Sequence, residues 1–311
     1  MKSEGVTVNF YLGIDGGGSS LKALLGDENK KIIGAIKSGP VNYQSAGLEK
    51  TKANFASLFN YCENYFKVAI GDIKCICLGC AGANNKQDKM IYANMIKELG
   101  YKGKLLIYND AYIALVGANG EAKGAVLISG TGSIAYGISK DGKHVRVGGW
   151  GHIIGDEGSG YAIGRDALNA ITRSIDGIIP QTKLTEAILN KLNISNLDEL
   201  ITFVYDPNTQ KQHIAELSPI VIEKACEDRI AAKIVDDAVN NLWQMVYGLK
   251  IKMDMDSFNL SLSGSILTET DVIRKKIIKK LNEELPQIQI TMGKYKPDYG
   301  ALTIAWAEAA I

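Results

Sequence analysis

The hydrophobic pattern of this chain is a series of short apolar segments, several of which stop abruptly at glycine and small polar residues. The first segment, 6–14, is rich in β-formers and ends at Asp-Gly-Gly-Gly, 15–18. Apolar segments at 21–26 and 31–36 follow after short turns. Three strands joined by short turns predict an antiparallel meander. Glycine would let the first turn take positive φ and bring backbone N–H groups close to an anion.

The same pattern starts again at 125–128, a short apolar run that ends in Ser-Gly-Thr-Gly-Ser, 129–133. Two further apolar segments follow it as far as 148, so Ser129 holds the position that Asp15 holds in the first copy. A duplicated strand and turn unit predicts two similar domains that face each other across a cleft. We expect each domain to supply one hairpin that binds phosphate.

The rest of the chain alternates between helical and strand patterns. Apolar residues at helical spacing predict helices at 48–68, 90–99, 161–174, 184–192, 197–204, 214–224, 230–248, 270–285 and 299–311, with Pro207 and Pro219 at breaks or first turns. Short apolar runs predict strands at 73–78, 104–108, 257–262 and 287–292. Two of these strands end in Asn109-Asp110 and in Ser-Gly-Ser, 263–265. Ligands of α/β sheets bind at the carboxyl ends of strands, which makes both turns candidate site residues.

Composition narrows the class of protein. At 311 residues the chain is long enough for two domains. Its 35 basic and 34 acidic side chains leave a net charge of +1, which gives no reason to expect nucleic acid or membrane as a partner. The first ten residues lack the pattern of a signal peptide, so we expect a cytoplasmic protein.

The five cysteines first suggest a metal site, because Cys75, Cys77 and Cys80 lie close together. Strand alternation places Cys75 and Cys77 on one face and Cys80 on the other. This favours buried, small hydrophobic side chains. The odd number of cysteines also argues against a disulfide framework.

Three acidic residues are candidates for metal binding, catalysis or substrate contact. Asp15 stands beside the glycine turn, where a divalent cation would fit between its carboxylate and bound phosphates. Asp110 is either a helix N-cap, the commoner role of Asp at such a boundary, or a general base, and the two roles are compatible. Asp156, followed by Glu157, is either a solvated turn or a contact to a substrate hydroxyl and to metal-bound water.

Two aromatic side chains lie in the glycine-rich stretch between these motifs. Trp150, flanked by glycines, is either a core residue or a stacking surface for a sugar. His152 has no metal-ligand spacing with the other two histidines, which favours a donor that orients the backbone.

Taken together, the motifs resemble those of the N-acetylglucosamine kinase family, and most of all its bacterial N-acetylglucosamine and N-acetylmuramic acid kinases. That family belongs with the benzoyl-CoA reductase activator ATPases in the actin, hexokinase and Hsp70 superfamily. The similarity covers essentially the whole chain and is densest at 127–159. It implies an α/β fold of two ribonuclease-H-like domains flanking a central cleft, 1–116 and a more helical 117–311, with the final helix at 299–311 packing back on the first.

The resemblance also implies an ATP-dependent sugar kinase that uses Mg²⁺ and acts by in-line phosphoryl transfer. Asp110 would be the general base, and Asp15 would hold Mg²⁺ directly or through water. The implied ATP contacts are Gly17, Gly18, Ser19, Lys22, Thr131, Gly132, Gly264 and Ser265. The implied sugar contacts are Asn42, Asp110, Gly149, Trp150 and Asp156. N-acetylglucosamine is the expected substrate, with N-acetylmuramic acid and glucosamine as rivals, because Ile134 replaces an Asn of the animal enzyme and makes the pocket more apolar.

Two other functions compete with this expectation. One is an ATPase activator of a dehydratase or CoA-ester reductase, which would need a Cys-ligated iron–sulfur cluster, but the neighbours of Cys80 lack the cysteine pattern of such proteins. The other is a sugar sensor without catalytic activity, for which no helix-turn-helix segment precedes Asp15. We therefore expect an enzyme, and a homodimer, whose partners are ATP and a small amino sugar.

Overall fold

The computed structural model describes residues 8–18, 20–83 and 85–308. The described residues of Met1–Lys123 and Gly293–Ile311 form one compact unit, the first unit, and Gly124–Met292 form the second unit. None of the described helices combines the length and the apolar character that crossing a membrane requires.

The sheet of the first unit has the strand order β3-β2-β1-β4-β5. Its strands are β1 (Phe10–Gly16), β2 (Leu21–Asp27), β3 (Ile32–Ser38), β4 (Ile73–Cys80) and β5 (Lys104–Tyr108). The first three pair antiparallel, as the meander pattern predicts, whereas β4 and β5 add parallel to β1. The helices between them are α1 (Tyr43–Ala46), α2 (Leu48–Phe66), α3 (Lys86–Glu98) and α4 (Asp110–Asn119), with a 3₁₀ turn at Ile70–Asp72.

One face of this sheet is covered by α2 and α3. Apolar side chains recur at helical spacing along α2, and Phe55, Leu58 and Cys62 are fully buried there. They join one core with alternate residues of the central strands, among them Leu12 and Ile14 of β1. Alternation along a strand sends the intervening residues to the opposite face of the sheet.

The second unit repeats the same strand order, β10-β9-β6-β7-β8. Its strands are β6 (Ala125–Ser129), β7 (Ser133–Ile138), β8 (His144–Gly148), β9 (Asn259–Ser263) and β10 (Gln289–Met292). Again the first three pair antiparallel and the last two add parallel. The expected α/β fold of two mixed five-stranded sheets is therefore confirmed.

Most helices of the second unit lie between β8 and β9. They are α5 (Gly160–Ile175), α6 (Leu184–Leu192), α7 (Leu197–Tyr205), α8 (Lys211–Ala215), α9 (Ser218–Lys224) and α10 (Arg229–Met253), followed after β9 by α11 (Ser265–Thr268) and α12 (Asp271–Glu284). The single helix expected at 214–224 is wrong, because the chain breaks into α8 and α9 with Pro219 in the first turn of α9. The long helix α10 buries its apolar stripe in the core of this unit.

The last helix, α13 (Pro297–Glu308), returns to the first unit and packs against α4, β1, β2 and β4. Two glycines of the sheet permit the close approach. A Cβ on Gly13 would lie 2.2 Å from the backbone N of Leu302, and one on Gly26 would lie 2.5 Å from the Trp306 ring. The compact units divide at 123–124 and 292–293, and the domain limits 1–116 and 117–311 stay a prediction.

Candidate functional site

Strand register brings the candidate residues of the first unit to one edge of its sheet. Asp15 pairs with Gly79 of β4, and Gly79 in turn pairs with Tyr108 of β5. The residues that follow these positions, including Asn109 and Asp110, therefore leave the sheet at the same edge, where parallel strands gather their ligands.

The glycine turn after β1 is fastened to its neighbours by backbone hydrogen bonds. The N–H groups of Ala81 and Val41 donate to the carbonyls of Gly16 and Gly17, at 3.1 and 3.2 Å. The expectation of positive φ is wrong for Gly16 and Gly18. Gly16 is needed for space, since a Cβ there would lie 2.8 Å from Cγ2 of Val41. Ser19, an expected ATP contact, lies outside the described residues.

Asp15 sits in an environment of excess negative charge. Burial, then the charge of Asp110, raises the pKa of Asp15 to about 7, and the charge of Asp298 acts in the same direction. The charge of Lys22, which pairs with Asp15 across β1 and β2, opposes this rise. Burial and the repulsion from Asp110 both disfavour the ionised form of Asp15. A bound cation would offset both effects, so this side chain suits a cation site.

The N-cap of α4 is Asn109, whose side-chain Oδ1 accepts a hydrogen bond from the N–H of Tyr112 at 2.8 Å. The N-cap interpretation of Asp110 is therefore wrong. Asp110 is the first residue of the helix, its Oδ1 accepts the N–H of Ala111 at 3.0 Å, and its side chain is exposed. This leaves its carboxylate accessible to a substrate hydroxyl.

Asn42 caps the one-turn helix α1, which the sequence did not indicate. Its Oδ1 accepts the N–H of Gln44 at 3.1 Å and lies 3.0 Å from the position of a Cβ on Gly82. The oxygen is thus used within the protein. For a sugar, this side chain keeps its amide N–H groups and the second lone pair of the oxygen.

In the second unit, the turns after β6 and β9 lie side by side. Ile128 pairs with Ser263, and the carbonyl of Ser129 lies only 2.3 Å from the position of a Cβ on Gly264. The backbone N of Ser265 lies 3.7 Å from the position of a Cβ on Gly130. The expected ATP contacts Thr131, Gly132, Gly264 and Ser265 thus belong to one pair of adjacent turns.

The loop from Gly149 to Ser159 is bonded to the β6–β7 turn. Ser129 Oγ and Ser133 Oγ donate to the carbonyls of Gly158 and Glu157 at 2.8 and 2.7 Å. The N–H of Gly149 donates to the carbonyl of Ser133 at 3.0 Å. Both candidate motifs of this unit are consequently parts of one hydrogen-bonded structure.

Asp156 is 4% exposed and holds a left-handed backbone, φ 65°. Its Oδ1 accepts the N–H of Ser133 at 3.4 Å, and its Oδ2 lies 2.9 Å from the position of a Cβ on Gly132. The solvated-turn interpretation of Asp156 is therefore wrong, although Glu157 beside it is exposed. The carboxylate of Asp156 faces the glycine turn.

Trp150 is 62% exposed, so the core interpretation of this side chain is wrong. The guanidinium of Arg146 lies over its ring at 4.0 Å and donates to the carbonyls of Gly148 and Gly149. This cation–π contact fixes one face of the indole. Sequence reasoning missed Arg146, although its spacing from Trp150 near the end of a strand was visible.

Cys75, Cys77 and Cys80 of β4 are buried, as expected, and Cys62 of α2 is buried as well, whereas Cys226 of the second unit is exposed. Burial raises the pKa of each of the four buried thiols. Within the described ranges, no group of three or more His, Cys, Asp or Glu side chains could hold a metal ion. A single carboxylate with water ligands is the arrangement that Mg²⁺ commonly uses, and Asp15 fits that description.

The duplicated strand order and the paired glycine turns define an α/β protein built of two similar units. The profile of the BadF/BadG/BcrA/BcrD ATPase family matches residues 12–305. The chain belongs to this family, as the motifs predicted.

Two relatives match over nearly the full length of the chain. The N-acetylmuramic acid/N-acetylglucosamine kinase of Clostridium acetobutylicum is 34% identical over 97% of this chain and 99% of its own. The N-acetyl-D-glucosamine kinase of Dictyostelium discoideum is 34% identical over 95% and 97%. A solved structure, the putative N-acetylglucosamine kinase of Chromobacterium violaceum, superposes with a TM-score of 0.80 at 23% identity, over 96% of this chain and 99% of that one. The last comparison supports the fold alone.

Proposed function

We propose that this chain transfers the γ-phosphoryl group of ATP to a hydroxyl of an amino sugar, with Asp110 as general base. The observation that carries the proposal is the shared edge of the first sheet. Asp15 and the glycine turn lie there at the end of β1. Asp110, with its accessible carboxylate, comes shortly after the end of β5 at the same edge. Both relatives are sugar kinases by name, which confirms the expected enzyme class, an ATP-dependent sugar kinase.

Asp110 would take the proton of the sugar hydroxyl as that oxygen attacks the phosphorus in line. Since phosphoryl transfer depends mainly on positioning and on offsetting charge, the rest of the site needs few reactive groups. Mg²⁺, held by Asp15 directly or through water, would supply charge neutralisation of the phosphates. The backbone of the two glycine turns would position them.

The sugar contacts would be donors and acceptors of different kinds. The Asn42 amide offers N–H donors and the one lone pair of its oxygen that Gln44 does not use. Asp156 offers carboxylate oxygens, and Trp150 an exposed indole. N-acetylglucosamine is the proposed substrate, with N-acetylmuramic acid and glucosamine as alternatives. The homodimer and the cytoplasmic location stay predictions.

The test is sugar-dependent ADP release over a panel of N-acetylglucosamine, N-acetylmuramic acid and glucosamine. Asp110→Asn should lower kcat by about 100-fold or more, because general-base catalysis contributes about 10² to 10⁴ in rate. Asp271→Asn is the matched control, since Asp271 is likewise the exposed first residue of a helix. No sugar-stimulated turnover by the wild type, or equal rates for the two variants, would refute the proposal.

A further inference from the structure

A chain of polar contacts runs from the core of the first unit to the half-buried Tyr43, next to Asn42. Tyr92 of α3 is fully buried, and its phenolic oxygen accepts the thiol of Cys80 at 3.0 Å. The same oxygen accepts the backbone N–H of Tyr43 at 3.4 Å. The hydroxyl of Tyr43 then donates to Oδ1 of Asp88, back on α3, at 2.6 Å. These four residues are called the Tyr92 network below.

Ring packing adds to the hydrogen bonds. The rings of Tyr43 and Tyr92 meet edge to face, with centroids 5.4 Å apart, and the Phe55 ring meets Tyr92 at 6.4 Å. Burial raises the pKa of Cys80 to about 12 and also raises that of Tyr92, so both groups keep their protons. The Tyr92 oxygen can therefore accept both N–H and S–H.

The Tyr92 network joins two segments that meet at Asn42. Tyr43 follows Asn42 directly in the chain. Cys80 ends the strand that leads to Gly82. The Asn42 oxygen packs against Gly82, 3.0 Å from where a Cβ of that residue would lie. The thiol of Cys80 also lies 3.7 Å from the carbonyl of Val41. Tyr43, on one side of Asn42, is thus bonded to the buried phenol, and Val41, on the other side, lies beside the Cys80 thiol.

We infer that Tyr92 is a positioning residue that holds the Asn42 amide in place for the sugar. This inference rests on the proposed function. Helix α1 has only four residues, none of them buried, so its own hydrogen bonds are too few to fix the segment. Tyr92, which is anchored in the core of the first unit, adds to the constraint from the buried Val41 and its backbone bond to Gly17.

The test compares Tyr92→Phe with Tyr101→Phe in the full chain. Both residues are buried tyrosines of the first unit, and the Tyr101 hydroxyl donates to the carbonyl of Lys104 at 2.9 Å, away from Asn42. Each variant keeps the ring and loses one hydroxyl. Loss of the Tyr92 contacts should raise KM for the sugar about three- to tenfold, the range that one or two net hydrogen bonds supply. KM for ATP and kcat should change by less than about twofold, since the hydrogen bonds of the Tyr92 hydroxyl go to Cys80 and Tyr43 and not to a residue of the glycine turn itself.

Tyr101→Phe should leave the sugar KM at the wild-type value. If Tyr92→Phe fails to fold, Tyr43→Phe removes the hydroxyl that donates to Asp88 and should raise the sugar KM in the same direction. Equal sugar KM values in the Tyr92 and Tyr101 variants, or a parallel rise in the KM for ATP, would overturn the inference and leave the proposed function intact. A wild type without sugar-stimulated turnover would instead overturn the proposed function, and the inference with it.

Discussion

Asp15 and Asp110 repel each other electrostatically, and the structure shows the effect on Asp15. Burial and the charge of Asp110 raise its pKa to about 7. Removing that charge in Asp110→Asn should lower the pKa of Asp15, although burial will keep it above the usual value for Asp. The pKa is measured by NMR titration of the side-chain carboxyl in metal-free buffer. An unchanged pKa would show that the two carboxylates do not interact.

The raised pKa also fixes a pH dependence of stability. The Asp15 carboxyl binds its proton more tightly in the folded protein than in the unfolded chain. The free energy of unfolding should therefore fall as pH rises from about 4, the pKa in the unfolded chain, to about 7, the pKa in the folded protein. Asp15→Asn should remove this decline, so wild type and variant should diverge across that range. Urea denaturation of both proteins at pH 4.5 and pH 7.5 checks it, and parallel curves would contradict it.

For single residues, the sequence indicated which residues belong to the candidate site better than it indicated how their side chains are placed. Asp15 and Asp110 were identified because a carboxylate after a strand is visible in any window of the chain. The capping role of Asn109 and the stacking of Arg146 on Trp150 were missed because they depend on backbone angles and on side-chain direction. Tyr92 was also missed, because only folding brings it to Tyr43, 49 positions away.

Helix α13 shows how a single element depends on one anchor. Trp306 is 7% exposed, and its indole N–H donates to the carbonyl of Asp27 at 2.8 Å. Trp306→Ala should reduce the free energy of unfolding by about 3–5 kcal/mol, the usual cost of removing a buried aromatic side chain. Urea denaturation measures the change.

Trp150→Ala is the matched control for this substitution, because Trp150 is exposed. Its effect on stability should be below about 1 kcal/mol. Similar losses in the two variants would show that the Trp306 side chain contributes no more to stability than an exposed one.

Most elements could be predicted because their patterns are local. The glycine turns interrupted clear apolar runs, and α2 and α10 carried strong helical stripes. Pro219 indicated the break between α8 and α9, but the one-turn helix α1 could not be predicted, since it is too short to show a period. The parallel addition of β4 and β5 pairs distant segments, which no local pattern indicates.

For the molecule as a whole, the chain leaves the first unit after Lys123 and rejoins it at Gly293. Truncation after Met292 removes α13 and should destabilise the first unit selectively, because Gly13 loses the backbone of Leu302 and Gly26 loses the ring of Trp306. Hydrogen exchange should rise in β1 and β4 and stay slow in β6 and β9. A chain cut after Glu308 is the control and should match the full-length protein. Uniform acceleration in both sheets would show that the units do not unfold separately.

The late position of α13 along the chain has a consequence for protein synthesis. Residues up to Lys123 leave the ribosome well before α13 does, by roughly 10–30 s at elongation rates of about 5–20 residues per second. During that interval the apolar surface of β1 and α4 has no helix to cover it. Newly made chains should therefore be most prone to aggregation, and most in need of chaperones, while the second unit is being translated.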